Sequence, residues 1–473
     1  MEKVLQKIKK YWQEAVVFIS MLIYMIYISY ASILRYDNYF AGKFDLGNMA
    51  QTVWNTAHGD IFRLTDPNAT REVSRLAFHS DFILILFAPF YWIWEDPRML
   101  LIIQTVVVAV GGIFVFLIAN HILKNKNISL VLTLSYFINP GVNFANLYDF
   151  HSVTLATTFL LATFYFLFKK KYGYMLFFLI LSVVTKEEVW VISGLIGLYL
   201  FFNERKRALG AIIAIVSFSF FYILIEYLMP KNLGKEHFAL SYYSYIGETP
   251  FEIVINIFLN PLQTIKTLLL PDRILFIKQI FLPVGFISFL APLMLIFAVP
   301  DLAINLLSSN PPLHQIYYQY SATITPFVFI AAIFGIRFLK SKMPRIPYNV
   351  LSLIIILFSL FSAYDYGPLP FSKNPSINTY KKTLPEKTKI DEYISSLPVE
   401  KKITATNNVG AHLSHRKDIY VIPQGLDKAD RAIFLTSRSI NEGEKRALIK
   451  IQTDSNYVLV FQAEGFYVFK NLK

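Results

Sequence analysis

The chain has 473 residues, 55% hydrophobic and only 16% charged, with a mean hydropathy of +0.46. Soluble chains carry about 25% charged residues, so this composition excludes a water-soluble globule, a disordered chain and a free nucleic-acid binder, and implies a polytopic membrane protein with the lipid bilayer as partner. The net charge of +13 fits Lys- and Arg-rich cytoplasmic loops, and the absence of cysteine excludes disulfides and Cys-ligated zinc.

The N-terminus, MEKVLQKIKK, is basic and precedes an apolar run at 15–34. That run can cross a hydrocarbon core of about 30 Å and reads as an uncleaved signal anchor with its N-terminus in the cytoplasm. Further apolar stretches at 98–121, 128–140, 153–168, 172–185, 188–202, 208–229, 281–299, 321–339 and 346–364 read as spans. Basic clusters lie between them: Lys124 and Lys126; Lys169, Lys170 and Lys171; Arg205, Lys206 and Arg207; Lys340, Lys342 and Arg345. With all four clusters inside, the Pro89-containing stretch 82–94 has to be re-entrant or interfacial. Residues 281–309 then enter and return to the outer side, helped by Pro292 and Pro300.

Under this topology nearly every polar motif between apolar stretches falls on the outer face, as an active site or binding cleft at a membrane surface needs. After about residue 364 a linker leads into a small soluble module, expected to be extracytoplasmic. Short runs at 402–406, 419–422, 432–436 and 457–462 read as strands, and Glu464-Gly465 as a hairpin turn into 466–469. The segment 439–450 reads as a helix capped by Ser439, with Glu442 three residues on. The domain reading is a membrane domain over 1–364, with a long first outer loop at 35–80, and an α/β domain over 365–473.

Carboxylates at a membrane edge are costly unless paired or solvated, and so point to function. Asp45 reads as a general base for an acceptor hydroxyl or as the N-cap of a helix beginning at Leu46. His79 with Asp81, and Asp149 with His151, are spaced to hold a divalent metal ion, to polarise a phosphate, or to hydrogen-bond at the interface. Lys186, Glu187 and Glu188 interrupt an apolar run, either as a solvated turn or as groups that meet a phosphate and a sugar. His314 and Tyr317 follow the turn Asn310-Pro311-Pro312. Arg35, Lys43, Arg63, Arg71 and Arg75 make the first outer loop basic; they suit an anionic lipid phosphate or pair with Asp60, Asp66 and Glu72. His412 and His415 offer either a metal-binding helix face or a polar turn packed on the membrane domain. Nucleotide-binding and serine-hydrolase motifs are absent.

A signal anchor, an early Asp in a long first outer loop, many spans and an outer C-terminal module resemble the GT-C superfamily of membrane glycosyltransferases. Several motifs also resemble a prokaryotic family of predicted membrane proteins of unknown function: Phe44-Asp45-Leu46-Gly47 with Gln51 and Trp54-Asn55-Thr56, His79 ahead of Pro89-Phe90-Tyr91, Asn146-Leu147-Tyr148-Asp149-Phe150-His151, Thr185-Lys186-Glu187-Glu188, and Ala411-His412-Leu413-Ser414-His415-Arg416. The resemblance implies a mainly α, polytopic transmembrane bundle of GT-C type with a small extracytoplasmic α/β C-terminal domain. It also implies a polyprenyl-phosphate-linked sugar donor, a glycan, lipid or protein acceptor, and Asp45 as catalytic base. The second acidic residue of the superfamily's paired motif is replaced by Leu46. On this reading Arg75 and Lys186 neutralise the leaving phosphate, while His79, Asp81, Asp149, His151, Glu187, Glu188, His314 and Tyr317 hold substrate. No cofactor beyond a divalent ion is implied. The competing expectation is a non-catalytic lipid-glycan binder, carrier or assembly protein that uses the same cleft.

Overall fold

The computed structural model describes residues 2–234 and 238–473. The protein is mainly helical, and its chain divides into two compact units that do not follow a single cut.

The first unit takes Met1–Ile28, Gln104–Tyr148 and Ser152–Ser376. Among the described residues, four helices are long and apolar enough to cross a membrane: Lys10–Asp37, Arg98–Leu123, Arg207–Leu233 and Tyr348–Tyr366. The shortest has 19 residues, about 28 Å at 1.5 Å per residue. Lys126–Phe137 and Pro140–Leu147 make a fifth candidate, bent by 41°. The bend has a local cause. Pro140 has no N–H to continue the ladder, and the Asn139 side chain restarts it by accepting the Val142 N–H at 3.1 Å.

Three stretches that read as spans are shorter helices: Ser152–Phe168, Tyr172–Val183 and Val189–Phe202. The stretch 281–299 is not one helix. Pro283, Gly285 at φ +62° and Pro292 break it into the turns Leu282–Val284, Ile287–Leu290 and Pro292–Leu295. Close packing elsewhere uses small residues. A Cβ on Gly197 would lie 2.5 Å from the Ala214 backbone nitrogen, and the hydroxyls of Ser193 and Ser217 meet at 2.8 Å between the same two helices.

The second unit is assembled from Ser29–Ile103, Asp149–His151 and Ile377–Lys473. It holds an antiparallel pair, β1 (Arg63–Thr65) and β2 (Glu72–Ser74), and a five-stranded sheet. The sheet comprises β3 (Ile403–Ala405), β4 (Ile419–Val421), β5 (Arg431–Leu435), β6 (Tyr457–Ala463) and β7 (Phe466–Asn471), in the order β4-β3-β5-β7-β6. β3 runs parallel to β4 and β5, and β7 antiparallel to β5 and β6. Ile403, Ile419, Ile433, Leu435, Phe466 and Val468 form its core with Ile390 and Leu413.

The C-terminal helix is Glu442–Thr453, and its cap is Asn441 rather than Ser439. Asn441 and Glu444 form the reciprocal capping box, and Glu444 also accepts the Asn407 N–H at 3.0 Å. Both Ser439/Glu442 and Asn441/Glu444 match the sequence pattern; this second acceptor role selects the later pair.

Within this unit the first loop and the C-terminal sheet region interlock. Gln51 Nε2 donates to Thr65 Oγ1 at 2.9 Å and to the Arg416 carbonyl at 3.0 Å, while Thr65 Oγ1 donates to the Lys417 carbonyl at 2.9 Å. Gly47 is needed for the approach, since a Cβ there would lie 3.1 Å from the Ala411 Cα.

Candidate active site

Asp45 lies in a five-residue π-helical turn, Lys43–Gly47, that runs into the helix Asn48–Ala57. It caps no helix. The turn is held from within: the fully buried Lys43 donates through Nζ to Asn48 Oδ1 at 2.7 Å and Gln51 Oε1 at 3.0 Å, and Asn48 Nδ2 donates to the Phe44 carbonyl at 2.9 Å. Burial, with a smaller push from Arg75, lowers the Lys43 pKa to about 7. Leu46 fills the core beneath, and Asp45 is left on the surface of the turn.

Facing it is the tripeptide Asp149-Phe150-His151. Asp149 adopts φ +73°, a left-handed conformation that Asp tolerates better than most residues. The buried Phe150 ring meets Phe87 edge-on at 6.0 Å. Asp149 Oδ2 accepts the Gly42 N–H at 3.0 Å, and its Oδ1 lies 3.3 Å from Arg35 Nη2. Burial raises the Asp149 pKa; Arg35 opposes the rise and the Asp45 charge adds to it. His151 Nε2 lies 3.1 Å from Asp45 Oδ1. The exposures separate the roles. The side chains of Arg35, Asp149 and His151 are 7%, 2% and 6% exposed, whereas Asp45 is 29% exposed. One reachable carboxylate therefore stands on a buried base of three polar groups.

The other sequence candidates are distributed as follows. Arg75 is buried and engaged by Asp81 through Nε and Nη2 at 2.9–3.2 Å, while the His79 backbone N–H donates to the Arg75 carbonyl at 3.2 Å. Two further basic groups of the first loop are also paired: Arg63 with Glu72 at 2.7 Å and Arg71 with Asp66 at 3.2 Å. Asp60 pairs with Lys417 at 3.1 Å. The pairing alternative accounts for this loop better than an open anion site does.

In the first unit, Lys186 Nζ lies 2.7 Å from Glu188 Oε1 and 5.7 Å from the Tyr320 ring centroid, with Glu187 buried beside them in sequence. Asp301, buried in the helix Val299–Leu307, interacts electrostatically with Glu188 and Lys186. Sequence reading missed it, although a lone carboxylate in the apolar stretch 281–309 was a usable signal. His314 is buried, with Nε2 3.0 Å from Asp272 Oδ2. Tyr317 joins an aromatic group with Phe144, Tyr148 and Tyr318 at centroid distances of 5.2–5.3 Å. Glu187 belongs to the first unit and interacts electrostatically with Lys186.

Among the described residues, no three His, Asp or Glu side chains are arranged to hold a metal ion. His412 and His415 do not share a ligand. The His412 ring is stacked between Tyr36 and Tyr39 at 4.1 and 4.0 Å with Nε2 3.0 Å from the Tyr36 carbonyl, and His415 meets the Tyr91 ring edge-on at 5.2 Å.

A family model described as "Predicted membrane protein (DUF2079)" matches residues 35–468. No curated protein matches at the sequence level. Among solved structures, ArnT from Cupriavidus metallidurans bound to undecaprenyl phosphate aligns with a TM-score of 0.56 at 11% identity, covering 96% of this chain and 97% of that one. The Archaeoglobus fulgidus oligosaccharyltransferase in the apo form aligns with a TM-score of 0.46 at 14% identity, covering 89% of this chain and 65% of that one. The first alignment shows a GT-C fold.

Proposed function

Because the chain belongs to the family of predicted membrane proteins DUF2079 and has a GT-C fold, we propose that it transfers a sugar from a polyprenyl-phosphate donor to an acceptor hydroxyl at the extracytoplasmic face of the cell membrane. The observation that carries this reading is the partly exposed Asp45 carboxylate backed by buried His151, Asp149 and Arg35. Fold likeness supports the reaction class by analogy, and the position of Asp45 supports its reading as a base.

In the proposed step Asp45 takes the proton of the acceptor hydroxyl as the acceptor oxygen attacks the anomeric carbon. The bond from that carbon to the phosphate oxygen breaks, the phosphate leaves with the electron pair, and configuration inverts. His151 fixes the carboxylate through its contact at 3.1 Å. Arg35 offsets the charge of Asp149, so that Asp45 is not facing an uncompensated second anion. Arg75 acts through the fold of the first loop, since Asp81 holds it. No step is assigned to a metal.

The reading is tested by incubating the reconstituted protein with radiolabelled polyprenyl-phosphate sugars and an acceptor extract. Asp45→Asn should lower transfer at least about 100-fold, the lower range for removing a general base, with membrane insertion and donor binding retained. An Asp45→Asn variant that transfers sugar at the wild-type rate removes the base assignment. Donor binding without turnover in the unaltered protein removes the enzyme reading altogether.

A further inference from the structure

The helices Pro250–Leu259 and Pro261–Leu268 are consecutive in the first unit, and their amphipathicity is reversed relative to a water-facing pair. Neither contains a buried residue. Exposed apolar side chains follow helical spacing: Phe251, Val254, Phe258 and Leu259 on one helix, Leu262 and Ile265 on the other, followed by Leu269. Phe251, Phe258 and Leu262 are 73%, 77% and 73% exposed. Polar side chains turn inward. Asn256, half-buried, donates to the Ile246 carbonyl at 2.7 Å, and Thr264, also half-buried, to the Ile257 carbonyl at 3.1 Å. Only the edges of the stripe are polar, with Glu252 in the first turn and Asn260, Gln263 and Lys266 around the bend.

We propose that this pair of helices lies flat in the membrane interface, with its apolar face among the phospholipid acyl chains of the leaflet reached by the end of Arg207–Leu233. Three observations select a lipid surface over a protein partner. At 10 and 8 residues, the helices reach about 15 and 12 Å and cannot cross. The preceding span carries the same kind of lipid-facing surface up to its last turns, with Ile215, Tyr222 and Tyr227 exposed. The segment leading into the helices is fixed to the unit, since Tyr245 Oη donates to the Leu307 carbonyl at 2.7 Å and the Ser309 N–H to the Tyr242 carbonyl at 2.9 Å, and Asn256 Nδ2 ties the first helix to that segment through the Ile246 carbonyl. Its apolar stripe is therefore a standing feature of the fold. Lys266, at the border of the stripe, is placed to reach lipid phosphates, as interfacial lysines do. This inference does not rest on the glycosyl-transfer reading.

The chain lacks cysteine, so single cysteines can be introduced and labelled without background. Phe258→Cys, Ile265→Cys and, as a water-exposed reference, Lys470→Cys would each carry a nitrobenzoxadiazole label on the full chain in vesicles of phosphatidylcholine with one-quarter phosphatidylglycerol. The expected result is a blue-shifted emission at 258 and 265, quenched several-fold more by lipid bearing a nitroxide high on its acyl chain than by aqueous iodide, with the reverse order at 470. Iodide quenching at 258 and 265 equal to that at 470 overturns the proposal. So does protection from both quenchers that vanishes on dilution into excess lipid, the signature of a second copy covering the face. A Leu262→Asp/Ile265→Asp variant provides a second readout, with lipid quenching at a 258 label falling toward the reference value.

Discussion

At the scale of single residues, the Arg35–Asp149 pair governs the candidate site. Both side chains are nearly inaccessible to solvent, so removing one partner leaves an uncompensated buried charge, a loss of about 3–5 kcal/mol. Arg35→Met is expected to lower thermal stability by that order, and Arg35→Met/Asp149→Asn to regain a large part of it; melting in detergent with both variants measures this. A loss in the double variant equal to the sum of the Arg35→Met and Asp149→Asn single losses would mean that the two groups are not coupled. The pair also shows what sequence could not give. Asp149 and His151 stood out because they interrupt an apolar run, a local signal. That Arg35 rather than Arg75 compensates Asp149 depends on a contact across more than a hundred positions, and no spacing rule reaches that far. For Asp45 the sequence leaves a base and a cap as alternatives, and the cap falls away once the π-helical turn is seen.

At the scale of elements, the strands of the C-terminal sheet were legible because short runs of Val, Ile, Phe and Tyr are bounded by turn residues. Membrane helices were legible as apolar runs but not always in continuity: composition does not reveal that the stretch 281–299 is broken into short turns. The turn Asn407–Leu413 and its continuation place His412 between Tyr36 and Tyr39, and this packing has a pH consequence. Burial lowers the His412 pKa from 6.5 to about 4. The folded state then binds fewer protons than the unfolded one between those values, so its stability is fully present above pH 6.5 and falls as pH drops toward 4. His415 is lowered to about 4 by burial as well and acts with the same sign. His412→Phe, which keeps an aromatic ring between the tyrosines, should reduce the difference in melting temperature between pH 7 and pH 4.5 (about half a unit above that value). An unchanged difference would place the acid sensitivity elsewhere.

At the scale of the whole molecule, the second unit is built from three stretches far apart in the chain. Gln51 and Thr65 find their partners at Arg416 and Lys417, and Phe44 N–H donates to Asn407 Oδ1 at 3.0 Å. A chain ending at Ser376 should therefore insert its spans yet lose amide-exchange protection over residues 40–80, and with it the Asp45–His151 contact. Retained protection would mean that the loop holds its shape alone. Sequence suggested a tail module appended to a membrane domain because composition changes sharply there; the interlock escaped it because the contacts are mostly between backbone carbonyls and neutral side chains, which leave no compositional trace. The shortest of the three stretches, Asp149–His151, is anchored at each end by a helix, Pro140–Leu147 before it and Ser152–Phe168 after it. So short a splint has no slack. Inserting a single alanine after Phe150 would slide the imidazole out of register with the carboxylate while sparing every group that performs chemistry, and the molecule would keep its inventory but lose its alignment.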